Sequence, residues 1–334
     1  MILAGDVGGT NTRLALFEVA GGSLRVLAAA TFPSRAHRGL EELVARFVAE
    51  RGGSVRHACF GVAGPVRDGR CEATNLPWVV DGQALGRELA LPAVTLINDL
   101  EANAYGLATL GPDDVAVLNA GEPGARGNVA VIAAGTGLGE AGLVWDGRRH
   151  QPFASEGGHA DFAPTDELQV ELYRFLAREL GHVSVERVLS GPGLYNVYRF
   201  LRDTGRGEEP GWLAAAIGAG DPAPVISAAA LDGRSELCGR ALDVVVSIYG
   251  AEAGNLALRV LATAGVYLGG GIGPRIRRRL EGPRFMEAFL AKGRLRALLS
   301  AIPVRLILND RTALQGAARC AALRAGLTPE GGQW

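Results

Sequence analysis

Along the first hundred residues the apolar positions change period several times. Ile2 to Asp6 is a nearly continuous apolar run, Gly8-Gly9-Thr10 interrupts it, and Thr12 to Val19 alternates in exposure. That pattern predicts a strand, a glycine turn and a second strand, so the fold opens on a β-hairpin. A third strand is expected over Leu24 to Phe32. Leu40, Leu43, Val44, Phe47 and Val48 then fall on one helical face, and Gly52-Gly53 ends that helix. Apolar strands follow at Ala58 to Val62 and Val94 to Ile97, and the segment LEANAYGLATLG after Asp99 reads as a helix. Asn98 and Asp99 therefore sit where a strand gives way to a helix, the place where ligands gather in open α/β sheets.

The second half restarts the pattern. A strand at Val129 to Ala133, the turn AGTGLGE and a strand at Ala141 to Trp145 echo the first hairpin. Helices are expected at Glu167 to Leu180 and from about Ser235 to Leu261. A strand at Val266 to Leu268 enters GGGIGP, and a strand and helix at Val304 to Leu308 and Thr312 to Ala325 close the chain. The Gly/Pro/acid-rich stretch Asp203 to Pro224 reads as a surface loop. The 334 residues fit two modest cores. The echo between halves suggests duplicated α/β lobes: a small one over 1–110 and a large one over 111–334, with the C-terminal helix able to pack back on the small lobe.

Composition narrows the function. The 48 glycines imply many tight turns and close backbone approaches. The 34 basic and 35 acidic residues are mixed along the chain, which argues against a footprint for nucleic acid or a membrane and makes a small-molecule ligand the default. The first residues lack a basic segment followed by a long apolar one, and no apolar run suggests a membrane span, so a cytoplasmic protein is expected. Cys59, Cys71, Cys238 and Cys320 are far apart, which reads as buried thiols rather than a zinc knuckle or a disulfide framework.

The glycine turns are the first chemical clue, because a turn without Cβ atoms can wrap backbone N–H groups round phosphate oxygens. None matches the P-loop pattern, and neither GTGLGE nor GGGIGP has the spacing of a dinucleotide-binding turn. Each alone also fits an ordinary hairpin. Asp6 ends an apolar strand beside such a turn, where its carboxylate could hold magnesium, directly or through water, or merely cap the turn. Glu156 and His159 flank two glycines, which suits either presentation to one ligand or a structural pair. The run Arg275 to Arg279 reads as a solvated helix face more readily than as a polyanion site.

GDVGGTNTR, TNLPW, INDLEANAYG, AAGTGLGEAGLV, EGGH, HVSVERVLSGPGLYN and LGGGI, in this order and across nearly the whole chain, resemble the bacterial glucokinases. The resemblance implies an α/β, two-lobed actin-like ATPase (ribonuclease H-like) fold, with mixed β-sheets flanked by helices and a central cleft that takes ATP and sugar. It implies that Gly5, Asp6, Val7, Gly8, Gly9, Thr10, Asn11 and Arg13 and then Gly135, Thr136, Gly137 and Gly139 form phosphate-binding hairpins. Gly269, Gly270 and Gly271 would form the adenosine-side turn. Asn98, Asp99, Glu156, His159 and Glu186, with Asn75 as a further contact, would hold the sugar. Relatives that bind structural zinc use a cysteine cluster near this histidine; no cysteine lies between Cys71 and Cys238, so no structural zinc is expected.

The expected reaction is transfer of the ATP γ-phosphoryl to the 6-hydroxyl of glucose with magnesium, Asp99 taking the hydroxyl proton. A related hexokinase acting on fructose, mannose or glucosamine is the alternative within kinases. A sugar-responsive regulator, a chaperone-like ATPase and an oxidoreductase are the readings from other classes. A homodimer is the base-rate expectation.

Overall fold

The computed structural model describes residues 1–73 and 76–327. Asn75, expected to touch sugar, lies outside them. The chain divides into two compact units. One holds Met1–Asp114, Trp145–Ala154 and the residues from Asn309 onward; the other holds Val115–Val144 and Ser155–Leu308.

In the first unit, β1 (Ile2–Val7), β2 (Asn11–Ala20), β3 (Ser23–Pro33), α1 (Leu40–Arg51) and β4 (His57–Val62) come first. They are followed by the small strands β5 (Val66–Arg67), β6 (Arg70–Glu72) and β7 (Val79–Asp81), then α2 (Gly82–Glu88), β8 (Thr95–Asn98) and α3 (Asp99–Gly106). The main sheet runs β3-β2-β1-β4-β8. β2 and β3 are antiparallel, as a hairpin requires, and β4 and β8 continue the sheet in parallel with β1. The period-two pattern of β1 sorts its side chains: Leu3 and Val7 pack with Leu40, Leu43 and Phe47 of α1, whereas Ile2 and Ala4 face the other side.

The strands of the second sheet begin with β9 (Val115–Asn119), β10 (Val129–Ala134), β11 (Leu138–Trp145) and β12 (His150–Ser155), of which β12 up to Ala154 is counted with the first unit. α4 (Glu167–Leu180), α5 (Gly191–Asp203), α6 (Gly211–Gly218), α7 (Pro222–Leu231), α8 (Glu236–Val260) and β13 (Gly265–Gly269) follow. The second unit closes with α9 (Ile272–Arg275), α10 (Arg277–Leu280), α11 (Pro283–Leu290), α12 (Arg296–Ala301) and β14 (Val304–Ile307). The second sheet runs β12-β11-β10-β13-β14-β9, again mixed.

Two expectations are corrected. Asp203 to Pro224 is largely helical: Leu213 and Ile217 bury one side of α6, and α7 starts with Pro222 in its first turn under an Asp221 cap. α8 is long and apolar enough to meet the length and composition of a membrane span, which the reading of apolar runs missed. It is a core helix, packed on α5, α7, α11 and β10. The four cysteines are buried, as expected.

The last helix, α13 (Thr312–Arg324), belongs to the first unit and packs on β1, β4 and α3. Its approach to α3 depends on missing side chains, because a Cβ at Gly316 would overlap the Ala102 carbonyl oxygen and one at Gly106 would overlap that of Thr312. Gly61 of β4 acts likewise, since a Cβ there would lie 2.7 Å from that of Ala102. The helix that begins at Asp99 is thereby pressed between β4 and α13. Gly316→Ala is expected to lower the thermal unfolding midpoint by at least about 4 °C, because these backbones have no room to part cheaply. An unchanged midpoint would contradict the packing.

Candidate active site

In the first unit, Asp6 stands at the C-terminal end of β1, in register with Gly61, and Asn98 ends β8 in register with Val62. The carboxylates of Asp6 and Asp99 thus rise from the same edge of the parallel strands. The Gly8–Thr10 turn is closed by the Gly8 N–H on the Asn11 carbonyl at 3.1 Å. It is held from below by Ser34, which is buried: its Oγ donates to the Gly8 carbonyl at 2.7 Å and its N–H to the Thr10 carbonyl at 2.9 Å. Burial raises the Asp6 carboxyl above its ordinary range, and the Arg13 guanidinium, 3.6 Å away, pulls the other way. Arg13 is itself fixed by the Asp310 carboxylate at 3.0 Å and the Asp310 carbonyl at 2.8 Å.

Asn98 is only 8% exposed, and both ends of its amide bond backbone. Its Oδ1 accepts the Leu100 N–H at 2.8 Å, capping α3, and its Nδ2 donates to the Gly64 carbonyl at 3.1 Å. Asp99 follows as the first helical residue, half-buried, with its Oδ1 3.0 Å from the same N–H. A carboxylate at a helix N-terminus is favoured by the unpaired N–H groups there.

In the second unit, the β10–β11 turn is closed by the Gly135 N–H on the Gly137 carbonyl at 2.8 Å, and Thr136 is exposed at its tip. Leu138, just beyond, joins two distant segments through its backbone. Its N–H donates to Glu186 Oε2 at 2.8 Å, and its carbonyl lies against Gly158, where any Cβ would overlap it. The turn Glu156 to His159 is therefore stacked on the strand that also holds Glu186. Glu156 and His159 stand exposed on it, Oε2 and Nε2 3.9 Å apart. The Val185 N–H bonds the Ala160 carbonyl at 3.0 Å, which ties the Glu186 segment to the same turn.

The structure thus brings Glu156, His159 and Glu186 together beside Gly135–Gly139, and Asn98 and Asp99 together near Asp6. Gly270, at φ +80°, has no space for a Cβ against Ala134, so the turn of Gly269 to Gly271 abuts the strand that leads into Gly135. The arginine run is partnered within the unit: Arg277 bonds Glu281 at 2.6 Å and Arg279 bonds Asp243 at 2.9 Å. Among the described residues no group of three or more His, Cys, Asp or Glu side chains is placed to hold a metal.

Ser34, Asp310 and Glu140 escaped the sequence reading. Nothing local marks Ser34 or Asp310, but Glu140 directly follows the glycine turn and should have drawn notice as a charge inside an apolar strand. Its carboxyl is 1% exposed and lies beside that of Glu252 on α8. Burial pushes Glu140 up to about 8, the Glu252 charge adds to the rise, and Arg259 opposes it.

Comparison with known proteins gives consistent relatives. The glucokinase family profile matches residues 3–324. A glucokinase from Nostoc sp. is 41% identical over 96% of this chain and 99% of its own length. The glucokinase structure from an Antarctic psychrotroph superposes with a TM-score of 0.81 at 32% identity, covering 96% of this chain and 98% of that one. A ROK family glucokinase from Streptomyces griseus, solved with glucose and AMPPNP, shares the fold with a TM-score of 0.65 at 22% identity, covering 96% and 99%.

Unfolding returns Glu140 to its ordinary value near 4.5, so the folded chain holds this proton more tightly, and the stability it supplies is complete below that value and lost as pH rises through about 8. Glu140→Gln, which carries no titrating proton, is expected to flatten the fall of the unfolding midpoint between about pH 5 and pH 8. Parallel curves for the two proteins would refute a neutral Glu140.

Proposed function

The chain belongs to the glucokinase family, and on that premise we propose that it transfers the γ-phosphoryl of ATP to the 6-hydroxyl of D-glucose, giving glucose 6-phosphate and ADP, the first step of glycolysis. The observation that carries this reading is the junction at Leu138. One strand end supports a glycine turn suited to phosphate on one side and Glu186, Glu156 and His159 on the other.

A hexose offers a ring of hydroxyls, and polar groups that match them reject the wrong epimer far better than an apolar pocket does. Glu156, His159 and Glu186 supply such groups. Asn98 fixes the strand–helix junction from which Asp99 projects, and Asp99 accepts the proton of the attacking hydroxyl. A carboxylate needs position more than basicity for this, because the transition state is loose and the protein works mainly by aligning donor and acceptor. The backbone N–H groups of Gly9 and Thr10 and of Thr136 and Gly137 take the phosphate oxygens, and Gly269 to Gly271 the adenosine side.

A single part-exposed carboxylate at a strand end, beside a glycine turn, fits a magnesium ion that arrives with the nucleotide. Such an ion takes one or two carboxylates and completes its shell with phosphate oxygens and water. Asp6 would hold it, and the bound ion would neutralise phosphate charge. Arg13, braced by Asp310, keeps the Asp6 side chain in place.

Asp99→Asn is expected to keep glucose binding within about tenfold while losing at least about 10²-fold in kcat. Near-normal turnover would remove Asp99 from the role. A coupled assay of ADP release with ATP and magnesium, run with glucose, fructose, mannose, glucosamine and no sugar, tests the acceptor. Turnover on glucose far above the others is the expected result, and equal turnover on several sugars would favour a general hexokinase.

A further inference from the structure

Among the described residues, Glu140 Oε1 is a buried acceptor with no hydrogen-bond partner, an arrangement that costs free energy and calls for a reason. The other oxygen, Oε2, lies directly under Gly157, where a Cβ would overlap it. The Gly157 N–H donates to Ser155 Oγ at 3.0 Å rather than to this carboxyl. The turn bearing Glu156 and His159 therefore rests on Glu140 without being bonded to it there.

The groups facing Glu140 come from several elements. From α8 come Glu252, itself 4% exposed, and Arg259, whose Nη1 bonds Glu252 Oε1 at 2.7 Å. Glu252 Oε2 also accepts from Asn255 at 2.9 Å, and behind Asn255 stands the Lys292 ammonium at 2.7 Å. From the turn come Ser155 and Gly157, with Glu156 and His159 exposed on its outer side. The neighbour across β10 is Ile132, which offers no charge. The ion pair thus satisfies Glu252, whereas among the described residues Glu140 has a second carboxyl beside it and only the more distant pull of Arg259. A neutral Glu140 carries an O–H that the neighbouring Glu252 carboxyl can accept. An ionised one would put two negative charges side by side with one acceptor oxygen unmatched, and the backbone of the turn is pressed against it.

We propose that Glu140 is a positioning residue for the sugar-binding turn: its buried carboxyl is the floor beneath Gly157 that sets where Glu156 and His159 stand. Loss of its proton displaces that floor and weakens the hold on glucose while leaving the phosphoryl-transfer groups in place. The inference rests on the reading of Glu156 and His159 as sugar ligands.

The test is steady-state kinetics with glucose and saturating ATP on the full chain, comparing wild type with Glu140→Gln, Glu140→Ala and Glu156→Ala across neutral and alkaline pH. The glucose KM of the wild type is expected to rise at least about threefold between about pH 7 and pH 9, with kcat changing less than about twofold. In Glu140→Gln, which keeps the shape and the neutral state, KM should vary less than about 1.5-fold over that range. Glu140→Ala should show a raised KM at every pH, restored by glutamine at that position. A Glu140→Gln profile that follows the wild type, or a wild-type KM in Glu140→Ala, would overturn the proposal; should the alanine variant fail to fold, the isosteric glutamine profile decides alone. A glucose KM unaltered in Glu156→Ala would overturn the sugar reading beneath it, which is a separate failure.

Discussion

The hydrogen bond from the Leu138 N–H to Glu186 is the contact on which the site of the second unit depends. A backbone donor just past a tight turn would normally be satisfied by a strand partner or water. Here a carboxylate 48 residues further along takes it, which pins the Glu186 segment to the strand that carries the glycine turn. Because the Leu138 carbonyl meets Gly158 on its other side, one residue's backbone fixes three segments at once. The bond is charge-assisted and belongs to the stronger class.

The first unit solves a similar placement problem with packing. Asp99 projects from a helix start that is held firmly on two sides. Glycines at Gly61, Gly106 and Gly316 let α3 sink against β4 and α13, while the Asn98 cap fixes its first turn. Each glycine costs conformational entropy on folding that an alanine would not. Their presence at backbone contact points, rather than in loops, shows that the close approach outweighs that cost.

The Glu140–Glu252 pair is the opposite kind of feature, a buried polar arrangement that costs stability at neutral and alkaline pH. Two carboxyls that share a proton with one arginine nearby are less favourable than an apolar pair of the same volume. Such an arrangement beneath the proposed sugar-binding turn places the local cost where geometry matters most.

How much was legible in the sequence follows from the range of the forces involved. Strand and helix periodicity, the glycine turns and the strand–helix junction at Asn98 and Asp99 are local, so β1 to β4, α1, α3 and the β10–β11 hairpin follow from the order of residues alone. The resemblance carried by seven ordered motifs added the candidate ligands. The segment Asp203 to Pro224 misled because glycine and proline there are helix caps and first-turn residues, and only burial of Leu213 and Ile217 decides between a loop and a helix. Ser34 under the first turn, Asp310 behind Arg13, Glu252 beside Glu140 and Gly316 against Ala102 are each set by partners far away in the chain. The sequence by itself determined which segments would form and which residue types they offered. Tertiary structure alone decided which of those residues meet, because a hydrogen bond or a van der Waals contact acts over a few ångströms of space whatever the distance along the chain.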